Sequence, residues 1–283
     1  MRTSPTAGTT ATGRRRRIGA AFAAAAALAL AWFGTAVQAD AATAAPAKAT
    51  WAKTPCANPR HKGELACNAV GVTGGLTACQ KQQAADGITP KAATPSGYGP
   101  SDLQAAYGLT SAAASKGAGE TIAIVDAYND PNAEADLATY RSYYGLSACT
   151  TSNGCFKKVS QTGSTTSLPN SHAGWSEEIS LDLDMASAIC PNCNILLVEA
   201  NSATMANLGT AVNEAVTLGA KYVSNSYGGS ESSSDTSYDT SYFKHPGVAI
   251  TVSAGDGGYG AEYPAASQYV TSVGGTALSK ASN

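Results

Sequence analysis

Residues 121–126 read Thr-Ile-Ala-Ile-Val-Asp, a continuous apolar run that ends in a carboxylate. Such a run predicts a strand buried on both faces of a parallel sheet, because strands covered on one face alternate apolar and polar residues. Further elements follow in an alternating rhythm: helices at about 132–144, 176–189 and 204–218, and strands at 195–198, 222–224 and 248–252. This rhythm predicts an α/β fold with helices on both faces of a parallel sheet.

The carboxyl ends of the predicted strands carry polar residues. Asp126 ends the first strand, residues 226–229 follow a later one, and Asp256 follows the last. Ligands of open parallel sheets bind outside the carboxyl ends of the strands. We therefore expect the functional site at this edge of the sheet.

The first 39 residues are predicted to be a signal peptide. Residues 14–17 are four arginines, residues 18–33 are apolar and rich in Ala, and Val37-Gln38-Ala39 supplies small residues for cleavage. A membrane anchor is the alternative, but the apolar run falls short of the roughly 20 residues of a span. We expect a secreted, extracellular protein without a membrane anchor once the signal is removed.

Residues 40–97 show no sustained apolar period and are rich in Ala, Lys, Pro and Gly. This composition predicts a pro-segment or linker rather than a core. The turn-forming run at 94–100 marks its end, and residues 96–100 are the expected place of maturation. The folded domain is therefore predicted to span 98–283. Charged residues make up 13% of the chain, the net charge is −2, and there is no basic stripe, which excludes an electrostatic footprint for nucleic acid.

Seven cysteines are present, and in an exported protein they predict disulfides. Cys149 and Cys155 bracket a short loop and are expected to pair. Cys190-Pro-Asn-Cys193 has the spacing of a redox or zinc half-motif, but one such pair with few histidines favours a local disulfide at a helix end. Because seven is odd, one cysteine is free or has its partner outside this chain.

The densest acidic patch lies on the predicted helix at 176–189. Glu178 and Asp182 are four residues apart and share a face, which continues through apolar Met185, Ala186 and Ile189. Two carboxylates aimed at the sheet should share a proton, with one apparent pKa raised.

A structural interpretation of this helix competes with the catalytic one. In it, Ser176 caps the helix and Glu177 and Glu178 interact with the helix dipole. That alternative leaves Asp182 unexplained, and the pattern alone does not decide between the two. His172, just upstream, is predicted to be a loop residue. Asp256 lies in a Gly-flanked turn, where it could bind a cation, donate to an oxyanion while protonated, or simply form an Asx-turn.

Four blocks of sequence resemble the sedolisin family of serine-carboxyl peptidases in order and spacing. They are Glu-Ile-Ser-Leu-Asp at 178–182, Ser-Asn-Ser-Tyr-Gly-Gly at 224–229, Ser-Ala-Gly-Asp at 253–256, and Tyr-Pro-Ala-Ala-Ser at 263–267 followed by Val-Gly-Gly-Thr at 273–276. The resemblance covers residues 98–283. It implies a subtilisin-like fold and a secreted, monomeric endopeptidase, made as a zymogen, that hydrolyses polypeptide substrates at acidic pH.

The resemblance also implies roles for particular residues. Glu178 would be the general base that deprotonates a serine, Asp182 would orient it and share its proton, and Asp256 would donate to the oxyanion. Ser226, Tyr227, Gly228 and Gly229 would form the substrate-binding strand, and Asp126 would accept a hydrogen bond in the same network. A glutamate base suits acidic solution, because its reference pKa of about 4.3 lies below the 6.5 of histidine.

The family's nucleophile lies in a Gly-Thr-Ser motif further downstream, at the start of a buried helix, and its calcium site lies later still. Residues 273–277 are not that motif, because position 277 is Ala, and the chain ends at Asn283. We therefore expect a C-terminally incomplete domain without nucleophile, metal ligand or cofactor, and an inactive 283-residue product. Either the chain is part of an active peptidase whose gene model is truncated, or it is a short secreted relative that binds peptides or cell wall. An apolar sheet surface left exposed and the odd cysteine favour the first.

Overall fold

The computed structural model describes residues 50–53, 56, 63–74, 98–276 and 278–279. The predicted signal peptide, most of the predicted pro-segment and Cys79 lie outside these residues. In chain order the strands are β1 (Thr50–Lys53), β2 (Ala66–Cys67), β3 (Val70–Gly74), β4 (Thr121–Ala127), β5 (Phe156–Ser160), β6 (Asn194–Ala200), β7 (Tyr222–Asn225), β8 (Tyr227–Gly228), β9 (Ala249–Ser253) and β10 (Thr271–Val273). The helices are α1 (Pro100–Ala106), α2 (Thr110–Ser115), α3 (Ala133–Tyr143), α4 (Ala173–Ile189), α5 (Met205–Thr217) and α6 (Asp235–Tyr238), which runs into a π-helical turn at Asp239–Phe243.

Six of the strands form one parallel sheet in the order β10-β9-β7-β4-β6-β5. The predicted α/β fold with a parallel sheet is confirmed. Strand β4 lies inside the sheet between β6 and β7, and its last five residues are buried, as its continuous apolar sequence predicted. Two further antiparallel pairs, β1 with β3 and β2 with β8, lie outside this sheet.

Helices cover both faces of the sheet because the side chains of β4 alternate between two cores. Ala123 and Val125 belong to one buried cluster, together with residues of α5 such as Leu208 and Val212. Ile124 belongs to the other cluster, with residues of α3 and α4 such as Leu137, Ile179 and Leu183. Asp126 has the same parity as Ile124, so it lies on the face of the sheet that α4 covers.

The start of α4 differs from the prediction. The helix begins at Ala173, and its N-cap is His172, whose side chain accepts a hydrogen bond from the Trp175 backbone N–H at 3.3 Å. The proposed Ser176 cap is therefore wrong, and Glu177 and Glu178 lie beyond the first turn. His172 is also more than a loop residue, since its ring stacks on Tyr128 with a centroid distance of 5.0 Å.

Two strands of the six-stranded sheet were not predicted from the sequence. In β5, Lys157 and Lys158 interrupt the apolar pattern, and the strand forms at the sheet edge by pairing with β6. The residues of β10 are all exposed and give no buried run. Edge strands face the solvent on one side, so their sequences carry a weaker pattern than β4.

Three disulfides are present among the described residues. Cys149–Cys155 and Cys190–Cys193 confirm the two predicted pairs. Cys56–Cys67 was not predicted, and it lies in the interval 40–97. Leu65, Cys67 and Ala69 of that interval are buried in the same core cluster as β4, so part of it packs on the domain. Within the described part of the chain, no helix is long and apolar enough to cross a membrane.

Candidate active site

Helix α4 places Glu178 and Asp182 beside the sheet. The helix packs through Ile179 and Leu183 into the core, so its remaining inward positions carry the two carboxylates. Glu178 is only 2% exposed, and Asp182 is half-buried. The spacing of four residues therefore brings two carboxyl groups together in a site with little water.

Each carboxyl group accepts hydrogen bonds from a different element. Oε2 of Glu178 accepts from the backbone N–H of Asn68 at 2.9 Å and of Ala69 at 2.6 Å. Oδ1 of Asp182 accepts from Oγ of Ser226 at 2.8 Å. Oδ2 of Asp182 is buried and has no hydrogen-bond partner among the described residues. The pair is thus held by N–H and O–H donors, and the described residues supply it with no lysine or arginine.

Burial raises the pKa of both groups. Desolvation and then the charge of Asp182 raise the pKa of Glu178 to about 8, against the hydrogen bonds from Ala69 and Asn68, which lower it. Desolvation raises the pKa of Asp182 to about 7, and the Ser226 hydroxyl opposes that change. The pair therefore retains a proton near neutral pH, as the sequence predicted.

Asp126 lies on the same face of the sheet and extends this acidic site. It is fully buried, and both of its carboxyl oxygens lack a hydrogen-bond partner in the described part of the chain. Desolvation first, and then the charges of Asp182, Glu178 and Glu199, raise its pKa well above the ordinary value. The predicted role of Asp126 as a hydrogen-bond acceptor is therefore not seen among the described residues, and burial favours the uncharged form of this carboxyl group.

A cavity of about 940 Å³ opens beside the pair at the carboxyl ends of β7 and β9. Its walls include Asn68, Ser226, Ser253 and Asp256. Asp256 is exposed and follows Gly255, whose φ of 103° needs glycine. Asp256 also acts on the pair through its charge, which contributes to the raised pKa of Glu178. Asp256 and Ser226 thus share one cavity next to the buried carboxyl groups.

A second cavity, of about 600 Å³, runs along the apolar face of the sheet. Asp182 lines it, together with Met185, Ala186 and Ile189 of the predicted apolar stripe. These three side chains are half-buried, so they border an open groove. The apolar sheet surface that the sequence predicted to be exposed is this groove.

The predicted substrate-binding residues 226–229 comprise β8 and one residue on either side of it. The Tyr227 ring is fully buried, and its hydroxyl donates to Oδ1 of Asn225 at 2.8 Å, so only its backbone is available to a ligand. A Cβ at Gly228 would collide with the Glu262 side chain, and a Cβ at Gly229 would lie 2.8 Å from Leu65. A side chain at either position would therefore have to displace Glu262 or Leu65.

Sequence reasoning missed the contribution of residues 63–69. Asn68 and Ala69 contact Glu178, and the Asn68 side-chain amide donates to Oγ of Ser253 at 2.8 Å. The one available signal was the pair Cys56 and Cys67, whose spacing indicates a stapled segment inside an otherwise linker-like composition. Within the described ranges, no group of three or more His, Cys, Asp or Glu side chains is arranged to hold a metal ion.

Comparisons with known proteins show what the chain and its fold are similar to. No family model matches the chain. It is 31% identical over 206 residues to kumamolisin from Bacillus sp. (strain MN-32), an alignment that covers 66% of this chain and 36% of kumamolisin. The chain therefore spans about a third of the length of that relative.

Among solved structures, the fold is similar to Pseudomonas sedolisin, a serine-carboxyl proteinase complexed with two molecules of pseudo-iodotyrostatin. The TM-score is 0.55 at 23% sequence identity, over 67% of this chain and 56% of that chain. At this identity the likeness concerns the fold, and it confirms the subtilisin-like architecture that the sequence predicted.

Proposed function

We propose that this chain is a member of the sedolisin family and that it carries the acid–base and oxyanion part of a serine-carboxyl peptidase site. Its similarity to kumamolisin and to the fold of Pseudomonas sedolisin supports this proposal. The protein would be a secreted, monomeric endopeptidase that hydrolyses peptide bonds in polypeptide substrates, with residues 40–97 as its pro-segment. The observation that supports this proposal best is the buried pair of Glu178 and Asp182, which lies beside a cavity lined by Asp256 and contacts no lysine or arginine among the described residues.

Glu178 is proposed as the general base. A base must reach the hydroxyl that it deprotonates, and Oε2 of Glu178 already accepts two N–H groups at the cavity side. Asp182 is proposed to share the proton of the pair and to orient Glu178, and Ser226 holds Asp182 through its 2.8 Å hydrogen bond. When ionised Glu178 takes the proton of a serine, the negative charge of the buried pair falls. The raised pKa values of Glu178 and Asp182 favour this transfer.

Asp256 is proposed as the donor to the oxyanion. A carboxyl group donates only while it is protonated, so this role requires acidic solution. Ser226, Tyr227, Gly228 and Gly229 are proposed to bind the polypeptide backbone. Strand β8 suits that role for two reasons. The Tyr227 side chain lies in the core, and Gly228 and Gly229 have no side chain that could cover the backbone.

The nucleophile is proposed to lie outside the 283 residues, as is the calcium site of the family. Among the described serines, Ser226 donates to Asp182 and the Ser253 hydroxyl accepts from Asn68, while none donates to Glu178. The 283-residue polypeptide is therefore proposed to be inactive by itself.

Activity in acidic solution requires that the pKa of Glu178 be lower in the substrate complex than in this structure. With a pKa of about 8, Glu178 is protonated in acidic solution and cannot act as a base. Donors to its carboxylate lower this pKa, as the Asn68 and Ala69 amides already do. A serine hydroxyl and a bound substrate that donate to the pair would have to extend that effect.

The test has a genomic and an enzymatic arm. We expect DNA beyond codon 283, read in all frames, to encode a Gly-Thr-Ser motif. We expect the polypeptide extended through that motif to cleave a peptide substrate at acidic pH. Glu178→Gln should lower kcat/KM at least a hundredfold, because it removes the base. The matched variant Glu177→Gln, on the exposed side of the same helix, should change it less than twofold.

Two results would contradict the proposal. One is turnover by the 283-residue chain that Glu178→Gln abolishes, which would place the nucleophile within these residues. The other is an extended polypeptide with unchanged activity in Glu178→Gln, which would remove the carboxylate base.

A further inference from the structure

A glycine-rich segment, residues 255–261, borders the cavity beside the carboxyl pair, and we call it the glycine loop. Its residues Gly255, Asp256 and Gly258 line that cavity. A Cβ at Gly258 or Gly260 would meet no atom within 4 Å. Both glycines have a positive φ, of 87° and 102°, which few other residues adopt. The outer part of the loop therefore has few packing contacts in the described part of the chain, and its backbone has the freedom of glycine.

The two ends of the glycine loop are fixed to the domain. The Glu262 N–H donates to the Ala254 carbonyl at 3.0 Å, which closes the loop at its base. The next residue, Tyr263, exchanges two backbone hydrogen bonds of 2.9 Å with Gly229 beside β8. Any movement of the loop must therefore take place between these anchors, while its base stays next to the proposed substrate-binding residues.

Two exposed apolar side chains lie at borders of this cavity. Tyr259, near the tip of the glycine loop, is fully exposed. Leu181 of α4 lines the cavity and is 42% exposed, and Met185, one turn further along the helix, is half-buried there. Single exposed apolar residues are common on protein surfaces. Here, however, one of them sits on a glycine-rich loop and the other on the wall of the cavity that the loop borders, so contact between them would remove apolar surface from water.

The dimensions of the loop and the cavity allow this contact. A sphere of 940 Å³ is about 12 Å across, and three extended residues, as between Tyr259 and Glu262, span about 10 Å. The tyrosine side chain adds to that reach. The tip of the loop can therefore cross the cavity while the anchors at its base keep their hydrogen bonds.

We propose that the glycine loop is a lid with Tyr259 as its apolar tip, and that closure of Tyr259 onto Leu181 shields Asp256 from water when a peptide is bound. The proposal rests on the proposed function in one respect, since it takes Asp256 to be the donor to the oxyanion. Loops that close over a site commonly exclude water from it and complete the arrangement of its groups. Tyr259 acts through Asp256, so it is a positioning residue.

Closure supplies the condition that the role of Asp256 requires. Asp256 is exposed in this structure, whereas a carboxyl group donates a hydrogen bond only while it is protonated. Burial favours the protonated form, and so do the negative charges of Glu178 on α4 and of Glu262, whose side chain packs against Gly255. Among the described residues, no lysine, arginine or histidine lines the cavity to oppose them. Closing the lid over a substrate therefore promotes the protonation of Asp256.

Cross-linking in the 283-residue chain tests closure without substrate or turnover. Tyr259→Cys is combined with Leu181→Cys, and every chain carries Cys79→Ser, which removes the cysteine outside the three disulfides. A short bismaleimide, whose length replaces the tyrosine ring, should join the two thiols at least tenfold faster than those of a control chain with Tyr259→Cys and Leu218→Cys. Leu218 is exposed to a similar degree, 39%, but it lies at the end of α5, on the other face of the sheet. Mass spectrometry of tryptic peptides identifies the link.

The effect on Asp256 is measured on the cross-linked chain, in which the lid is held closed. Carbon-13 NMR titration of the aspartate carboxyl groups should show that Asp256 takes up its proton about one pH unit higher than in the same chain with each thiol capped by N-ethylmaleimide. Asp136, an exposed residue of α3, should titrate at the same pH in both chains. The comparison therefore separates shielding by the lid from a general effect of the reagent.

The pH profile of the extended polypeptide tests Tyr259 during turnover. Without the lid, Asp256 loses its proton at lower pH, so Tyr259→Ser should lower kcat/KM about tenfold at pH 5 and less than threefold at pH 3. Tyr259→Phe keeps the apolar tip and should restore the profile. A tyrosine that only stabilised the fold would instead change kcat/KM by a similar factor at both pH values.

Equal rates of cross-linking in the two pairs would overturn the lid. Rapid cross-linking of Tyr259→Cys with Leu181→Cys, but with an unchanged titration of Asp256, would overturn the shielding. Failure of the proposed peptidase function gives a different result, namely a closing lid and a shifted titration with no cleavage by the extended polypeptide. Cleavage with a pH profile that Tyr259→Ser leaves unchanged would keep the peptidase and overturn the role of Tyr259.

Discussion

Two groups of buried carboxylates, one on strand β6 and the other on helix α4, are stabilised in different ways. Glu199 of β6 is fully buried, its Oε1 accepts the Asp130 N–H at 2.9 Å, and the Lys158 ammonium lies 3.7 Å from it. Glu178 is buried to a similar degree, but the described residues give it the backbone amides of Asn68 and Ala69 and no cation. Desolvation raises the pKa of Glu199 to about 7 and that of Glu178 to about 8.

The difference lies in where the stabilising groups come from. Lys158 belongs to β5, which is part of the sheet, and its ammonium also donates to Oδ1 of Asn129 and to the Asp130 carbonyl. The donors to Glu178 belong to a segment that precedes the domain. Glu199 is therefore fixed by the fold, while Glu178 can exchange its donors for those of another molecule. This contrast separates a structural carboxylate from one that is available for chemistry.

The largest expected effect is that of removing Lys158, the cation beside Glu199. Lys158→Met leaves Glu199 buried without its counter-charge. It also removes the donor to Oδ1 of Asn129 and to the Asp130 carbonyl. We expect the free energy of unfolding at pH 8, measured by urea denaturation, to fall by about 2–4 kcal/mol. The loss should be smaller at pH 5, where Glu199 is protonated. Lys157→Met, at an exposed position of the same strand, should change it by less than about 0.5 kcal/mol, and equal losses would contradict the role of the ion pair.

The sequence predicted the fold well where side chains report burial. The apolar run of β4 and the stripe of α5 were sufficient, because both elements pack on the core along their whole length. The edge strands β5 and β10 were not predicted, because they form by pairing with one neighbouring strand and do not show a buried apolar pattern. The start of α4 was placed three residues late, since histidine is an uncommon N-cap and Ser176 offered a more usual one.

The candidate site was predictable where its residues follow from helical spacing, as with Glu178 and Asp182. It was not predictable where partners come from distant parts of the chain. Asn68 and Ala69 lie about 110 residues before Glu178, in a segment of linker-like composition. Their contacts with Glu178 are made by backbone N–H groups, which the residue types do not reveal. The lack of hydrogen-bond partners at Asp126 in the described part of the chain has the same origin, because a sequence shows which groups can accept hydrogen bonds and not which donors reach them.

The pH dependence of stability is the second test of the difference between Glu178 and Glu199. Glu178 has a folded-state pKa of about 8 against its ordinary 4.5, so the folded state binds a proton that the unfolded state has lost between these values. The stability that this proton contributes is thus fully present below about pH 4.5 and is lost as the pH rises towards about 8. Glu178→Gln should make this decline shallower, by up to about 1 kcal/mol per pH unit. Urea denaturation midpoints at pH 5, 6, 7 and 8 measure the slope.

A matched variant isolates the buried carboxyl group from the general effect of removing a charge. Glu177→Gln acts on the next residue of the same helix, where the side chain is exposed, and should leave the slope unchanged. A slope unchanged in Glu178→Gln would mean that Glu178 is ionised in the folded chain across this range, and its interpretation as a proton-retaining group would be wrong.

The smallest expected effect compares two serine–aspartate hydrogen bonds, one in each region. Ser226 donates to Asp182 at 2.8 Å, and Ser180 donates to Asp130 at 3.4 Å, close to the limit for such a bond. Ser226→Ala should cost about 1–2 kcal/mol of unfolding free energy at pH 8, where Asp182 is ionised, and less at pH 5. It should also raise the pKa of Asp182, because the Ser226 hydroxyl lowers it. Ser180→Ala should cost only a few tenths of a kcal/mol at either pH. Carbon-13 NMR titration of the aspartate carboxyl groups measures the pKa change, and equal effects of the two substitutions would show that Asp182 does not depend on Ser226.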